Sequence, residues 1–264
     1  MIISLKEKTA IVTGAASGIG RGVVNGLAES GAGVVLADIN LEGAKQAADA
    51  IAAEHGVRAL AVKVDVTSSD DAAALAKQAV DAFGRIDILV NNAGIAPAFP
   101  LADFPEDKWD LAIDVNLKGY FLVARAVVPH MIEQRSGAIV NISSKSGVRG
   151  SANNSAYNAS KFGVIGLAQG WCRELAASGI RVNSVLPGNV LRGSGIWNEE
   201  YVRECARKLG IKPEEVEEHY NRQVPLGRQC TVEDIANLVV FLVSDKASYI
   251  TGTSMLVDGG QEMR

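Results

Sequence analysis

Four times in the first 91 residues a short run rich in branched apolar residues ends in small, polar or acidic residues. The runs are Thr9–Thr13, Gly33–Asp38, Ala59–Asp65 and Ile86–Val90. Between them lie helix-length stretches, 41–55 and 69–83 among them, with apolar residues recurring at helical spacing. Strands joined this way must be parallel, because each crossover carries the chain back along the sheet through a helix. Further strand runs follow at 137–144, 180–186 and 254–257, which makes seven. The expected fold class is α/β: a doubly wound, seven-stranded parallel sheet flanked by helices, in one domain spanning 1–264.

The first strand run is followed by Gly14-Ala-Ala-Ser-Gly18-Ile-Gly20, then by a helical pattern with Ile19, Val23, Val24 and Leu27 inward. Glycines let backbone approach a pyrophosphate, and a helix N-terminus offers free N–H groups and the positive end of its dipole. The spacing is G-x-x-x-G-x-G rather than the common G-x-G-x-x-G of Rossmann folds, but the strand–turn–helix setting is Rossmann-like. Asp38 ends the next strand, 18 residues after Gly20. An acid there accepts ribose hydroxyls and repels a 2′-phosphate, and no Lys or Arg stands at 14–20 or 36–40 to receive one, so NAD is expected over NADP. Asp65 with Val66 falls where an adenine would sit; Asp65 reads equally as a turn residue. Gly14, Asp38, Asp65, Asn92 and Ser144 all lie at strand carboxyl ends, where sheets of this type bind ligands.

The chemistry concentrates at Ser143-Ser144 and at Tyr157-Asn-Ala-Ser-Lys161. Tyr157 and Lys161 share a helix face, and an ammonium beside a phenol favours the phenolate, lowering its pKa. Strand alternation points Ser144 toward the site and Ser143 away. Asn116 falls inside a helical pattern spanning 106–135, and two readings stand: a solvated face, or a side chain that disturbs the helix and orders a water.

Residues 191–230 leave the alternation. Gly193 and Gly195 suggest a hinge, Asn198 a helix cap, Gly210 a helix stop and Pro213 a second start. A small helical lid and a plain surface excursion are both consistent with this. Lys145, Arg149, Arg192 and Arg222 are candidate ligands for a substrate phosphate; as ordinary surface charges they would pair with Glu199, Glu204 or Glu217 instead.

A net charge of −4 gives no nucleic-acid footprint, and no apolar run reaches membrane-spanning length. The start of the chain is too short and mixed for a signal peptide. Three scattered cysteines fit reduced thiols in the cytoplasm, and the three histidines have no metal-ligand spacing, so no metal is expected.

Together Thr13-Gly-x-x-x-Gly18-x-Gly20, Asp65, Asn91-Asn-Ala-Gly94, Asn116, Ser144, Tyr157-x-x-x-Lys161 and Pro187-Gly188 resemble the short-chain dehydrogenase/reductase family over essentially the whole chain. Ser144 precedes Tyr157 by 13 residues, the spacing typical of that family. The resemblance implies an enzyme with Tyr157 as proton donor or acceptor, Ser144 orienting the substrate oxygen, Lys161 on Tyr157 and the nicotinamide ribose, and Asn116 anchoring a relay water. The NAD contacts expected are Gly14, Ser17, Gly18, Ile19, Gly20, Asp38, Asp65, Val66, Asn92, Tyr157, Lys161 and Val190. It also implies a homotetramer pairing through 106–135, 155–178 and the C-terminal strand region. One departure stands out: Arg192 replaces a Thr that often contacts the carboxamide. Ser144-Lys-Ser-Gly147, Gly188-Asn-Val-Leu191, Lys208–Pro213 and Val224-Pro-Leu226 are similar to the bacterial sorbitol-6-phosphate 2-dehydrogenase branch. The run Val190–Trp197 is similar to the dehydrogenase part of rhamnulose-phosphate aldolase/alcohol dehydrogenase fusions. The expected activity is hydride transfer between a polyol or sugar phosphate and NAD, with unphosphorylated polyols and 3-oxoacyl thioesters as alternatives. A non-catalytic NAD-sensing protein on the same fold is the remaining alternative.

Overall fold

The computed structural model describes residues 3–194 and 199–262. Its sheet has the order β3-β2-β1-β4-β5-β6-β7, all parallel: β1 Thr9–Thr13, β2 Gly33–Asp38, β3 Ala59–Lys63, β4 Ile88–Asn91, β5 Gly137–Ile142, β6 Ile180–Pro187 and β7 Ser254–Val257. The helices are α1 Gly18–Glu29, α2 Leu41–His55, α3 Ser69–Phe83, α4 Glu106–Ile113, α5 Gly119–Gln134, α6 Ser155–Leu175, α7 Glu199–Leu209, α8 Val216–Asn221 and α9 Val232–Val243. Strand order reverses between β1 and β4, which opens a crevice at their carboxyl ends.

Period-two alternation builds both cores. Ala10, Val12, Val140 and Ile142 face one layer, where they meet Val23, Leu27 and Val239. Ile11, Leu89 and Ile139 face the other, against Leu75, Val123 and Met131. Helices α1 and α9 lie close because Gly22 and Gly26 of α1 face α9: a Cβ on Gly22 would stand 2.7 Å from the Cβ of Val232.

Three elements are shorter or more broken than their sequence patterns predict. β3 stops at Lys63, since the Asp65 amide donates to Asp71 Oδ2 and the Asp65 carboxylate accepts from Thr67 in a turn. β4 starts at Ile88 because the side chain of Gln134 satisfies both backbone groups of Ile86 outside the ladder. The 106–135 pattern is interrupted by a π-helical segment, Asp114–Lys118, centred on Asn116. Asn116 is fully buried, which overturns the solvated-face reading.

The segment after β6 contains α7, a short 3-10 turn at Pro213–Glu215 and α8, with Cys205, Ala206 and Val216 forming a small core of its own. Gly210 takes a left-handed conformation (φ 66°) directly after α7, as a helix stop requires. The expected hinge at Gly195 and cap at Asn198, and the Ile196-Trp197 part of the Val190–Trp197 run, lie outside the described residues.

Candidate active site

The carboxyl ends of β1 and β4 are tied into one edge. Thr13 Oγ1 accepts from the amides of Asn92 (3.0 Å) and Ala93 (3.1 Å), and Asn92 Nδ2 donates to Thr13 O and Gly14 O. Gly14 sits at φ 65°, and a Cβ there would meet Ala93 Cα at 2.9 Å. On Gly20 a Cβ would fall 2.1 Å from Gly14 O, so only glycine lets α1 start this close to the turn. Ser17 caps α1 without a side-chain hydrogen bond, which leaves the first-turn amides open to an anion. The Asp38 carboxylate is aimed by two amides, Ala16 N and Asn40 N, each at 2.9 Å.

These groups border a cavity of about 1660 Å³ running from β2 past β4 and β5 to α7. Of the expected dinucleotide contacts, Gly14, Ser17, Gly18, Ile19, Asp38, Asp65, Val66, Asn92, Tyr157, Lys161 and Val190 all line it. Gly20 does not; its part is to let the turn pack. A cradle that a Cβ would fill, an open helix N-terminus and a fixed acid at the end of β2 together fit a dinucleotide.

Ser144, Tyr157 and Lys161 converge on the same cavity from β5 and α6. The Ser144 hydroxyl accepts from Ser146 N (3.0 Å) and is hydrogen-bonded to Tyr157. Ser143 also borders the cavity, but its hydroxyl is taken up by Lys161 O, to which it donates at 2.7 Å. Asn116 stands behind the wall: its amide side chain bonds both backbone groups of Ile95 (2.8 Å each) and donates to Ser160 Oγ (3.2 Å). It thus fixes the loop after β4.

The expected effect of Lys161 on Tyr157 takes a different form in the protein alone. Burial pushes the Tyr157 phenol above its ordinary value, with the Ser144 hydrogen bond opposing. Lys161, 3% exposed, is lowered to about 7 by burial. Its ammonium donates to Ile142 O (2.9 Å) and to Tyr120 Oη (3.3 Å), and lies 5.7 Å from the centre of the Tyr157 ring. With its pKa above the ordinary phenol value, Tyr157 is protonated at neutral pH in the protein alone.

The four candidate phosphate ligands do not converge. Lys145 and Arg149 line the cavity; Arg192 and Arg222 do not. Arg192 pairs with Glu217 at 3.0 Å and Arg222 with Glu218 on its own helical turn. Those two behave as the surface charges of the alternative reading. Lys145 Nζ donates to Gln261 Oε1 (2.9 Å), and its pKa is lowered by burial against the pull of Glu262 and Asp258. Arg149 pairs with Glu262 at 3.1 Å.

The excursion is a wall of the site rather than a detached surface feature, because Tyr201, Arg203 and Lys208 of α7 line the cavity. Lys208 Nζ also reaches Ala152 O at 3.2 Å. Ser194, two residues after Arg192, brings a hydroxyl to the wall and donates to Val190 O at 2.7 Å. Among the described residues no His, Cys, Asp or Glu cluster could hold a metal ion, and no helix is long and apolar enough to cross a membrane.

A family model described as enoyl-(acyl carrier protein) reductase matches residues 14–262. The chain is 42% identical to sorbitol-6-phosphate 2-dehydrogenase of Escherichia coli K12, over 97% of this chain and 99% of that protein. It is also 42% identical to the 3-oxoacyl-[acyl-carrier-protein] reductase FabG of Staphylococcus aureus, over 97% and 98%. A third relative at 42%, the uncharacterized oxidoreductase YuxG of Bacillus subtilis, is much longer, and this chain spans 37% of it. Among solved structures, sorbitol-6-phosphate 2-dehydrogenase SrlD from Erwinia amylovora superposes with a TM-score of 0.91 at 42% identity, covering 97% of this chain and all of that one. An NAD+-bound xylitol dehydrogenase superposes at 0.89 with 34% identity, covering 97% and 99%.

Proposed function

The chain belongs to the short-chain dehydrogenase/reductase family, and from that premise we propose that it is an NAD-dependent oxidoreductase acting on a secondary alcohol of a polyol or sugar phosphate. The substrate pair favoured is sorbitol 6-phosphate and fructose 6-phosphate. The observation that carries the substrate is Lys145, part-buried in the cavity wall directly after Ser144, with Arg149 four residues on. Cations lining the cavity that Ser144 enters suit a polar, anionic substrate. The relatives named as sorbitol-6-phosphate 2-dehydrogenases support the same choice.

NAD, when bound, supplies the hydride acceptor. The chain's own groups do the rest. Ser144 Oγ holds the substrate hydroxyl, and Tyr157 Oη, as phenolate, takes its proton while the hydride leaves C2 and the C–O bond becomes a carbonyl. Lys161 places positive charge at the Tyr157 ring, which favours that phenolate once the cofactor is in place. Asn116, by fixing Ile95, keeps the loop after β4 against the cofactor site. Asp38, aimed by Ala16 and Asn40, favours ribose hydroxyls over a 2′-phosphate, in line with the NAD+-bound neighbour.

One observation favours a second reading, a 3-oxoacyl thioester reductase: identity to the FabG relative is the same 42%. Absorbance of NADH on mixing protein and NAD with polyols, their phosphates and 3-hydroxyacyl thioesters separates the two. We expect the phosphorylated polyol to give the highest kcat/KM. Preference for a thioester would remove the polyol reading. Tyr157→Phe should abolish turnover while leaving NAD binding intact; unchanged binding without any turnover in the wild type would favour an NAD-sensing protein instead.

We read the molecule as a single-domain cytoplasmic homotetramer whose partner is a small-molecule substrate. The exposed Trp109, Leu111, Phe121, Ile132 and Phe162 on α4, α5 and α6 support the pairing. A monomeric mass by light scattering would remove that part.

A further inference from the structure

Tyr120 sits on the first turn of α5, just past the π-helical segment, and is 1% exposed. Its hydroxyl donates to Ile142 O at 3.0 Å and accepts from Lys161 Nζ at 3.3 Å. Lys161 Nζ donates to the same carbonyl at 2.9 Å, and the ammonium lies 5.2 Å from the centre of the Tyr120 ring. Ile142 ends β5 and is followed at once by Ser143 and Ser144. A phenol, a carbonyl and an ammonium therefore form a closed triangle at the rear of the site.

We infer that Tyr120 is a positioning residue: its hydroxyl and ring hold the Lys161 ammonium so that its remaining N–H faces the cofactor ribose and Tyr157. This rests on the dehydrogenase reading. An ammonium has three N–H groups, and Ile142 O and Tyr120 Oη take two. Lys161 also lines the cavity, so the third has somewhere to point. A hydroxyl needed only to fill space would have no reason to sit on a cation, because Phe fills that volume with no polar group to satisfy. The groups facing Nζ that titrate are Tyr120 from α5 and Tyr157 from α6. Burial holds the Tyr120 phenol well above its ordinary value, so it stays a neutral acceptor throughout the working pH range. An aromatic face and an acceptor oxygen replace the water that burial takes from the ammonium.

The test is NAD affinity, read by quenching of tryptophan fluorescence, in wild type, Tyr120→Phe, Lys161→Ala and the double variant. Tyr120→Phe should weaken NAD about tenfold, the scale of a hydrogen bond to a charged group. In the Lys161→Ala background the same change should cost less than twofold. Equal losses in both backgrounds would mean that Tyr120 acts through packing alone, and no loss in the wild type would also overturn the inference. If the Phe variant cannot be purified, Tyr120→His, which keeps a ring acceptor, should bind NAD better than Tyr120→Leu; equal affinities overturn it. Failure of the dehydrogenase reading looks different, since the wild type would then turn over no alcohol or carbonyl substrate, whether or not it binds NAD.

Discussion

The hydroxyl of Ser143 donates to the main-chain carbonyl of Lys161 across 2.7 Å, joining the end of β5 to the helix that carries Tyr157 and Lys161. Two adjacent serines thus divide the work. Ser144 faces the cavity and Tyr157, and Ser143 fixes the distance between the strand and α6. Gly147 belongs to the same joint, since a Cβ on it would stand 2.6 Å from Ser143 Oγ and 2.7 Å from Lys161 O.

Ser143→Ala should therefore lower both stability and rate. The lost bond is buried and leaves one carbonyl without that partner, a cost of about 1–3 kcal/mol. Thermal unfolding should show the loss, and kcat should fall with the KM for NAD little changed. A variant as stable and as fast as wild type would show that the strand–helix joint does not depend on this contact. Gly147→Ala, which forces the same joint apart, should be worse on both counts.

Cofactor choice should be set by Asp38. Its carboxylate is held by two amides and lines the cavity, so a 2′-phosphate would meet a fixed like charge. Asp38→Ala should raise the KM for NAD and improve the relative use of NADP, by about tenfold or more in the ratio of kcat/KM values. Comparable wild-type efficiency with NAD and NADP would contradict the assignment.

Lys161 should lower the stability of the protein at neutral pH. Its pKa is about 7 when folded, against a reference of 10.5, so between these values the unfolded chain binds more protons and stability rises with pH. The penalty is greatest below pH 7 and fades toward 10.5. A shift of that size corresponds to roughly 5 kcal/mol. Lys161→Met should melt several degrees higher than wild type at pH 6.5 or so, with a gap that narrows as pH rises, while losing activity. A gap that stays constant with pH would mean that Lys161 titrates near its ordinary value.

The sheet was legible because each strand carries its own alternation, and the catalytic line because Ser144, Tyr157 and Lys161 lie on two consecutive elements whose periods fix their faces. Asn116 was legible in position but not in burial: the π-helical turn that takes it inward is set by its bonds to Ile95 and Ser160, on other elements. Tyr120 reads in sequence as one more core aromatic, since its partners lie 22 and 41 residues away. The Gln261 and Glu262 contacts to Lys145 and Arg149 span 116 and 113 residues, and nothing local marks them. The partner of Arg192 is non-local in the same way, and the sequence left two readings of it open. The family resemblance suggested a ligand at that position, but the guanidinium pairs with Glu217 on α8.

That geometry moves the test of a substrate phosphate from Arg192 to Lys145 and Arg149. Lys145 is held by Gln261 and Arg149 by Glu262, so a phosphate would enter a pair of cations already provided with neutral and anionic partners. It would have to displace Glu262 from Arg149, and a dianion forming bidentate bonds to a guanidinium is the stronger partner. Arg149→Ala and Lys145→Ala should each raise the KM for sorbitol 6-phosphate, on the order of tenfold, and leave the KM for sorbitol nearly unchanged. Glu262→Gln, which removes the competing carboxylate, should lower the KM for the phosphorylated substrate. Arg192→Ala should affect neither, because its guanidinium is spent on Glu217 outside the cavity. The measurement is kcat/KM for both substrates across these four variants. If wild type uses sorbitol and sorbitol 6-phosphate equally, or if Arg192→Ala alone erases the preference, then Lys145 and Arg149 do not hold a phosphate.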